Sequence, residues 1–416
     1  MCAHWAARRK GVVLTNILIV GAGAQGAPCA AILARQPGVN RVLLGTRDLA
    51  DAAAVRDRIG SPKVLAAQFD ARQPDTIVRA AREALGTVEV VVDLTPSFIS
   101  VQVMEAALAL GAHYVNTAAC PEHLAQLIKG QPLDLADRFV AAGRTALLGC
   151  GASPGVLNVI CRRYCEELDT VERIEIRCGF HIPAQKEMVK TWTPSWSPEQ
   201  QYFDYCDPPC LFHDGKHEHM PVFHEPETYD FGGNLGEIQL THHAHDEQYS
   251  LPLTIGKGIQ YCCYKFPFEP AIATLFATGF TPDRVVEVEG GKVKAIDVLM
   301  ALVPRPVQVA VLDPAVQKNL VPYIADTKAH ILIKGTAGGK DKTILIVTGV
   351  FFDEAAKALE LFGTANVSVA YAAAAGALQL TEGKTKPGIV WPEELDAARF
   401  IDLSNTLGLT LNLSVA

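Results

Sequence analysis

The chain has 416 residues, more than one ordinary hydrophobic core accommodates, so two domains are expected. Its 37 Lys and Arg against 45 Asp and Glu leave a net charge of -8, which argues against electrostatic capture of nucleic acid or an anionic membrane and favours small-molecule partners. The 49% hydrophobic content is interrupted by 33 Gly and 25 Pro with no 18-residue apolar run, which excludes a transmembrane helix.

The 11 cysteines form no C-x-x-C pair and follow no secretory signal, so thiols in a reducing, cytoplasmic compartment are expected. Arg8, Arg9 and Lys10 precede the first strand in a leader without the apolar region of a signal peptide, which reads as a short disordered lead-in.

Asn16 to Gly26 read NILIVGAGAQG. Ile17 to Val20 form a buried strand that turns through Gly21, Gly23 and Gly26 into the apolar stretch Ala27 to Leu33. In G-x-G-x-x-G the first glycine allows the tight turn, the second a close approach to a pyrophosphate, and the third close helix packing. Ala24 and Gln25 complete a helix N-terminus whose N–H groups and dipole suit phosphate.

A second strand is expected over Arg41 to Gly45, after a helix stopped by Pro37-Gly38. Its end reads Gly45-Thr46-Arg47-Asp48. Thr46 stands where an acidic residue would bond a ribose 2′-hydroxyl, and Arg47 follows, so a 2′-phosphate would meet a hydroxyl and a guanidinium. This favours NADP over NAD; in the competing reading Arg47 is merely solvated and Asp48 reaches the ribose.

Val64 to Phe69 is a third strand, ending at Asp70-Ala71 where the adenine is expected. A helix carrying Ile77, Ala80, Ala81 and Leu85 leads to the β-branched run Val88 to Asp93, a central parallel strand. Ligands in open α/β sheets bind at the carboxyl ends of strands, which places Thr95, Pro96 and Ser97 beside the cofactor, with Asn116 and Thr117 at the end of the next strand, His113 to Asn116. Helix Val101 to Leu110 separates those strands, and Thr145 to Gly149 is a further strand.

Beyond Gly149 the rhythm changes. Ser153 reads as an N-cap and Pro154 as the first helical position of a segment carrying Val156, Leu157, Ile160 and Tyr164. From Val171 to about Ala370, period-2 runs such as Arg173 to Arg177, Val307 to Leu312 and Ile331 to Lys334 predict a mixed sheet. Tyr371 to Leu380 reads as helix, Pro392-Glu393-Glu394 as a helix start, and Leu409 to Leu413 as a strand.

NILIVGAGAQG, LLGTRDL, VVVDLTPSF, HYVNTA, GASPGVLN, SWSPEQQYFDY, HDEQYSLPLTI and PGIVWPEELDAARF together resemble the saccharopine dehydrogenase-like family, which includes saccharopine reductases, lysine 6-dehydrogenases and carboxynorspermidine-type enzymes. The resemblance spans nearly the whole chain. It implies an α/β architecture: a Rossmann doubly wound parallel sheet over 1–150, an α+β mixed-sheet substrate and dimerisation domain over 151–370, and a C-terminal segment, 371–416, folding back on the Rossmann domain. It also implies a homodimer, and hydride transfer between NADP(H) and a carbon bearing nitrogen in an amino acid, opine or related amine, by imine reduction or oxidative deamination. The aromatic and histidine content of Trp192 to His245 departs from the saccharopine site, so another amino or imino substrate is expected.

Such a reaction needs a group to protonate nitrogen, and a pocket for any carboxylate. The helix near Pro154, with Ser153 and Asn158, is one carboxylate candidate; an ordinary capped helix is the competing reading. Arg162, Arg163, Arg177, Arg284 and Arg305 stay open as carboxylate partners. Seven of the 12 histidines fall between His213 and His245, yet their spacing matches no zinc site and no metal is expected. His213 to His219 read as an exposed hairpin, whereas His245 is the candidate general acid or substrate contact. Trp192, Ser195 and Trp196 are candidate substrate walls, although tryptophans four apart also serve as packing anchors; Ser197 and Gln200 form a capping-box pattern. Cys150 reads as a small buried residue. Two other functions compete: an oxidoreductase working on a carbonyl or enoyl carbon, and a non-catalytic NADP(H)-binding redox sensor.

Overall fold

In the computed structural model the described residues are 14–181, 192, 197–303, 326–350, 352–362, 364–409, 411 and 413–416. Ser195, Trp196, Arg305 and the strand expected over Val307 to Leu312 lie outside them.

The first half runs β1 (Thr15–Val20), α1 (Gly26–Ala34), β2 (Val39–Thr46), α2 (Leu49–Ile59), β3 (Val64–Gln68), α3 (Pro74–Leu85), β4 (Val90–Asp93), α4 (Ser100–Leu110), β5 (His113–Asn116), α5 (Pro121–Ile128), α6 (Ala136–Ala141) and β6 (Thr145–Leu147). The second runs α7 (Val156–Cys165), β7 (Thr170–His181), α8 (Pro198–Cys206), β8 (Cys210–His213), β9 (Lys216–His219), β10 (Glu227–Asp230), β11 (Glu237–His242), α9 (Glu247–Ile255), β12 (Tyr261–Pro267), α10 (Pro270–Thr278), β13 (Val285–Val288), β14 (Gly291–Lys294), α11 (Ala295–Leu302), β15 (Asp326–Ala337) and β16 (Lys340–Val350). The chain closes with α12 (Phe352–Phe362), α13 (Ser368–Thr381), β17 (Gly388–Val390), α14 (Ala397–Leu407) and β18 (Ser414–Val415).

The first sheet is wholly parallel, in the order β17-β6-β5-β4-β1-β2-β3. Strand order reverses between β1 and β4, and the crevice above that point is where a doubly wound sheet receives its ligand. All six residues of β1 are buried, as befits a strand covered on both faces. Burial of side chains such as Ile17, Leu18 and Ile19 contributes roughly 1.5–3 kcal/mol each. Helix α1 is buried on every side because α13 packs against it and against β4 and β5. The alanines of α13 permit that approach: a Cβ on Gly376 would stand 2.6 Å from Cys150 Sγ. Gly388–Val390 returns to this half as β17, the seventh strand beside β6, whereas β18 pairs with β16.

The second sheet is mixed, in the order β10-β11-β12-β7-β15-β16-β18, with β8 on β12 and β9 on β8. Register aligns Ile176 with Tyr264 and Ile331, and Ile174 with Cys262 and Ile333, so these six share one buried face. The alternate residues carry charge: Arg177 bonds Glu175 and Glu227, and Lys265 pairs with Glu227.

Several expected boundaries shift. Helix α7 begins at Val156 with Gly155 at its cap, because Ala152 to Pro154 form a turn and Gly155 packs on Gly151; the expected start at Pro154 is corrected. Leu251-Pro252-Leu253 lies inside α9 despite its proline. Pro392–Glu394 is a single 3-10 turn, and the following helix starts at Ala397, where Asp396 caps it by accepting from Arg399 N. The described residues of the stretch expected as strand from Leu409 to Leu413 carry no strand, which appears instead at β18.

Candidate active site at the domain junction

The glycine corner supplies the first component. Gly21 sits at φ +105°, and a Cβ there would come 3.0 Å from the Leu94 carbonyl oxygen. A Cβ on Gly26 would lie 1.8 Å from the Gly21 carbonyl oxygen, so the corner closes only with glycine. Gly23 is different: a Cβ there meets nothing within 4 Å, which makes its glycine unnecessary for packing. Among the described residues the backbone N–H groups of Ala22, Gly23, Ala24 and Gln25 donate to nothing. Gln25 Nε2 donates to the Asn366 carbonyl (2.7 Å), while its Oε1 is buried without a partner. Open space over Gly23 and four free donors fit a bound dinucleotide diphosphate at the head of α1.

The neighbouring strand ends surround this corner. Gly45 packs against Phe69, whose ring stands where a Cβ would go, 2.0 Å away. Thr46 follows, half-buried, with its carbonyl accepting from Phe69 N. Arg47 is exposed, and its guanidinium has no hydrogen-bond or ionic partner among the described residues. Asp48 caps α2 through a bond from Ala50 N (2.8 Å). Asp70 accepts from Arg72 N in the turn after β3, beside buried Ala71.

At the end of β4, fully buried Asp93 accepts from Thr95 N (3.0 Å), Thr95 Oγ1 (2.5 Å) and Tyr114 Oη (2.7 Å), which fixes the Thr95-Pro96-Ser97 turn. Burial raises its pKa to about 6 against those bonds. Asn116 is 1% exposed, accepts from Gly149 N and donates to Ser100 Oγ, so its side chain holds β5 to the chain entering the second domain. Thr117 remains half-buried, its carbonyl 3.2 Å from where a Gly151 Cβ would stand.

Three hydrogen bonds join these strand ends to the second domain. Ser97 donates through N (3.3 Å) and Oγ (3.0 Å) to Gln200 Oε1 on α8, and Ala119 N donates to Asp246 Oδ2 (2.7 Å). Ser197 Oγ accepts from Gln200 N, but the Gln200 side chain turns across to Ser97 and Asp204, so the expected capping box is half formed.

Asp246 introduces the most polar part of the junction. His245 Nδ1 bonds Glu247 Oε2, and Ser153 Oγ donates to Glu247 Oε1. Ser153 Oγ also lies 3.3 Å from Tyr264 Oη. Glu247 is fully buried, while His245 is 15% exposed at its side chain and its Nε2 has no protein partner among the described residues. Burial alone would lower the His245 pKa, but the bonded Glu247 charge, with Asp204 and Asp246, raises it to about 9. Burial raises Asp204 to about 7 and Asp246 to about 6, each opposed by the His245 charge. Buried His243 lies well below its ordinary value. No arginine or lysine pairs with Asp204, Asp246 or Glu247 among the described residues.

Asn158, expected to touch substrate, is fully buried: Oδ1 accepts from Gly155 N, and Nδ2 donates to Glu393 and Ser250. The helix N-terminus beside it is equally committed, since Val156 N and Leu157 N donate to Gly151 and Ala152 carbonyls. Neither is available for a carboxylate. Trp192 donates to Gln201 Oε1 and packs on Tyr202, an anchor for α8. Arg162 and Arg163 pair along α7 with Glu166 and Glu167, Arg177 with Glu175 and Glu227, and Arg284 packs at Gly279. Asp204, Asp246, Glu247 and Tyr264 were not singled out from sequence. Glu247 and Asp246 adjoin His245 and were discoverable there, whereas Tyr264 follows from strand alternation only once its register is known. His213 and His219 lie on the β8–β9 hairpin as expected, and no group of three or more potential metal ligands stands together among the described residues.

The sequence profile of the saccharopine dehydrogenase NADP binding domain matches residues 17–147, and that of the saccharopine dehydrogenase C-terminal domain matches residues 151–407. The chain belongs to the saccharopine dehydrogenase family. It is an oxidoreductase that uses a nicotinamide cofactor. Carboxyaminopropylagmatine dehydrogenase of Synechocystis sp. is 25% identical over 95% of this chain and 96% of that protein. Carboxynorspermidine synthase of Vibrio cholerae is 24% identical over 95% of each. Apo saccharopine dehydrogenase (L-Glu forming) from Saccharomyces cerevisiae matches with a TM-score of 0.67 at 14% identity, covering 97% of this chain and 100% of that one. Homospermidine synthase from Legionella pneumophila in complex with NAD matches with a TM-score of 0.64 at 14% identity, covering 97% and 91%. At that identity the structural likeness carries the fold. No described helix is long and apolar enough to cross a membrane.

Proposed function

We propose that this enzyme reduces, with NADPH, the imine formed between a primary amine and a carbonyl compound bearing a carboxylate, giving a secondary amine. Condensation of amine and carbonyl releases water; hydride then adds to the imine carbon while the nitrogen receives a proton, leaving NADP. The observation that carries this reading is the concentration of Asp204, Asp246 and Glu247 around His245 without a lysine or arginine partner. Such a buried acidic cluster favours a cationic amine and keeps an imidazolium available. The relatives named for carboxyaminopropylagmatine and carboxynorspermidine are consistent with a carboxylated amine product.

Bound nicotinamide supplies the hydride; the protein's residues orient, enclose and protonate. Ala22 to Gln25 would hold the diphosphate by their N–H groups, and Arg47 with Thr46 would receive the 2′-phosphate. Asp93 keeps the Thr95-Pro96-Ser97 turn fixed on the nicotinamide side. His245, held at Nδ1 by Glu247 and against Tyr264 by ring contact, would present Nε2 to the substrate nitrogen and deliver its proton. Ser153 keeps Glu247 in place.

The test is NADPH consumption with amines and carboxylate-bearing aldehydes or keto acids, supplied singly and together. Consumption requiring both partners is expected. Consumption with the carbonyl alone would instead indicate carbonyl reduction, and binding of NADPH without turnover on any mixture would favour a sensor.

A further inference from the structure

Gln200 occupies an unusual position in the molecule. It lies on α8 of the second domain, yet its Oε1 receives both the N–H (3.3 Å) and the hydroxyl (3.0 Å) of Ser97, which belongs to the turn leaving β4. Its other end, Nε2, donates to Asp204 Oδ1 one helical turn away (2.8 Å). Ser97 is 7% exposed, so the first contact is screened from water. An amide suits this task because it accepts at one atom and donates at the other; a carboxylate does only the first.

We infer that Gln200 is a positioning residue that transmits the placement of the nicotinamide-side turn at Ser97 to the Asp204 carboxylate, and so fixes an acidic group whose charge acts on His245. This rests on the function proposed above, because Asp204 matters to turnover only if His245 carries the proton. The consequence is a cleft whose two halves register through one amide: displacement of the β4 turn carries Asp204 with it. The charges that act on Asp204 are those of His245 and Asp246 in the segment before α9, and of Asp207 at the end of its own helix. The bond from Gln200 and the His245 charge favour its ionised form; burial and the two aspartates oppose it.

Three variants separate the two ends of the bridge. Gln200→Glu keeps an acceptor for Ser97 but loses the neutral donor to Asp204; Gln200→Ala loses both; Ser97→Ala weakens only the far end. The readouts are steady-state kcat and KM, the pH profile of kcat, NADPH affinity, and the Asp204 carboxyl titration followed by 13C NMR, assigned with Asp204→Asn. In Gln200→Glu, kcat should fall roughly ten- to a hundredfold, as expected for a misplaced active-site group. NADPH affinity should stay within about twofold, because no contact to the nucleotide is removed. The Asp204 titration should move above its parent value in both Gln200 variants, and the pH profile should move with it.

An unmoved Asp204 titration in both Gln200 variants overturns the inference, as does a moved titration with unchanged kcat. Should the parent enzyme turn over no amine and carbonyl pair, the proposed function fails, while the carboxyl titration still decides whether the bridge exists. Should Gln200→Ala not fold, Gln200→Glu alone decides.

Discussion

The imidazole of His245 lies flat against the ring of Tyr264, with centroids 4.1 Å apart and planes inclined by 8°. Tyr264 is in turn aligned with Ile176 at the centre of the mixed sheet, so the orientation of the candidate proton donor is set by the core of the second domain. The stack and the Glu247 bond constrain one ring from its face and from its edge, and leave Nε2 as the atom able to meet a substrate.

Replacing His245 with Asn should lower kcat/KM for imine reduction by about 10²–10⁴-fold, the range for loss of a general acid. In the parent enzyme the rate should fall as pH rises through about 9, since the raised His245 pKa keeps the ring charged up to that point. Glu247→Gln removes the charge that opposes the burial effect, so this alkaline limb should move to lower pH. Rate profiles with saturating NADPH check both; an unmoved limb in Glu247→Gln contradicts the assignment of the limb to His245.

Replacing Arg47 with Ala should weaken NADPH binding about tenfold or more while leaving NADH binding nearly unchanged, because a charge-assisted bond of ~1.5–3 kcal/mol to the 2′-phosphate is lost. Fluorescence titration of both nucleotides reads the ratio. Equal losses for the two, or tighter NADH binding by the parent protein, would move the ribose contact to Asp48.

Gly23→Val should leave stability within about 0.5 kcal/mol, since the added atoms enter open space, yet remove binding of both nucleotides. Gly26→Val should instead unfold or severely destabilise the domain, because its Cβ would collide with the Gly21 carbonyl oxygen at 1.8 Å. Thermal melts with and without NADPH distinguish the two. A Gly23 variant that is still stabilised by NADPH would place the diphosphate elsewhere.

Asp93 makes a stability prediction with a definite sign. Burial raises its folded pKa from 3.8 to about 6, so the folded state holds the extra proton in that window and the contribution of Asp93 to stability declines as pH rises from about 4 to about 6. Asp93→Asn should remove this part of the slope. Urea midpoints measured across the window check it, and a slope identical to that of the parent protein would show that Asp93 titrates normally.

The parallel half of the fold was legible because its signals are local. Ile17 to Val20 followed by the glycine corner specify strand, turn and helix within a dozen residues, and the run ending at Asp93 has the composition of a strand covered on both faces. The start of α7 was misplaced because Ser153-Pro154-Gly155 carries ordinary cap chemistry, whereas the turn is dictated by Gly155 packing on Gly151. Of the site, His245 was visible as a histidine beside two acids. Gln200 and Asp204 were not, because their meaning depends on Ser97, 103 residues from Gln200 in sequence, and no local pattern reports such a contact.

The central claim, hydride delivery to a carbon bonded to nitrogen, is tested most directly with NADPH deuterated at nicotinamide C4, an amine and a carboxylate-bearing carbonyl, followed by mass spectrometry of the product. The account predicts one deuterium on the carbon attached to the new secondary amine nitrogen. Deuterium found in an alcohol, or no transfer with any amine and carbonyl pair, would contradict it.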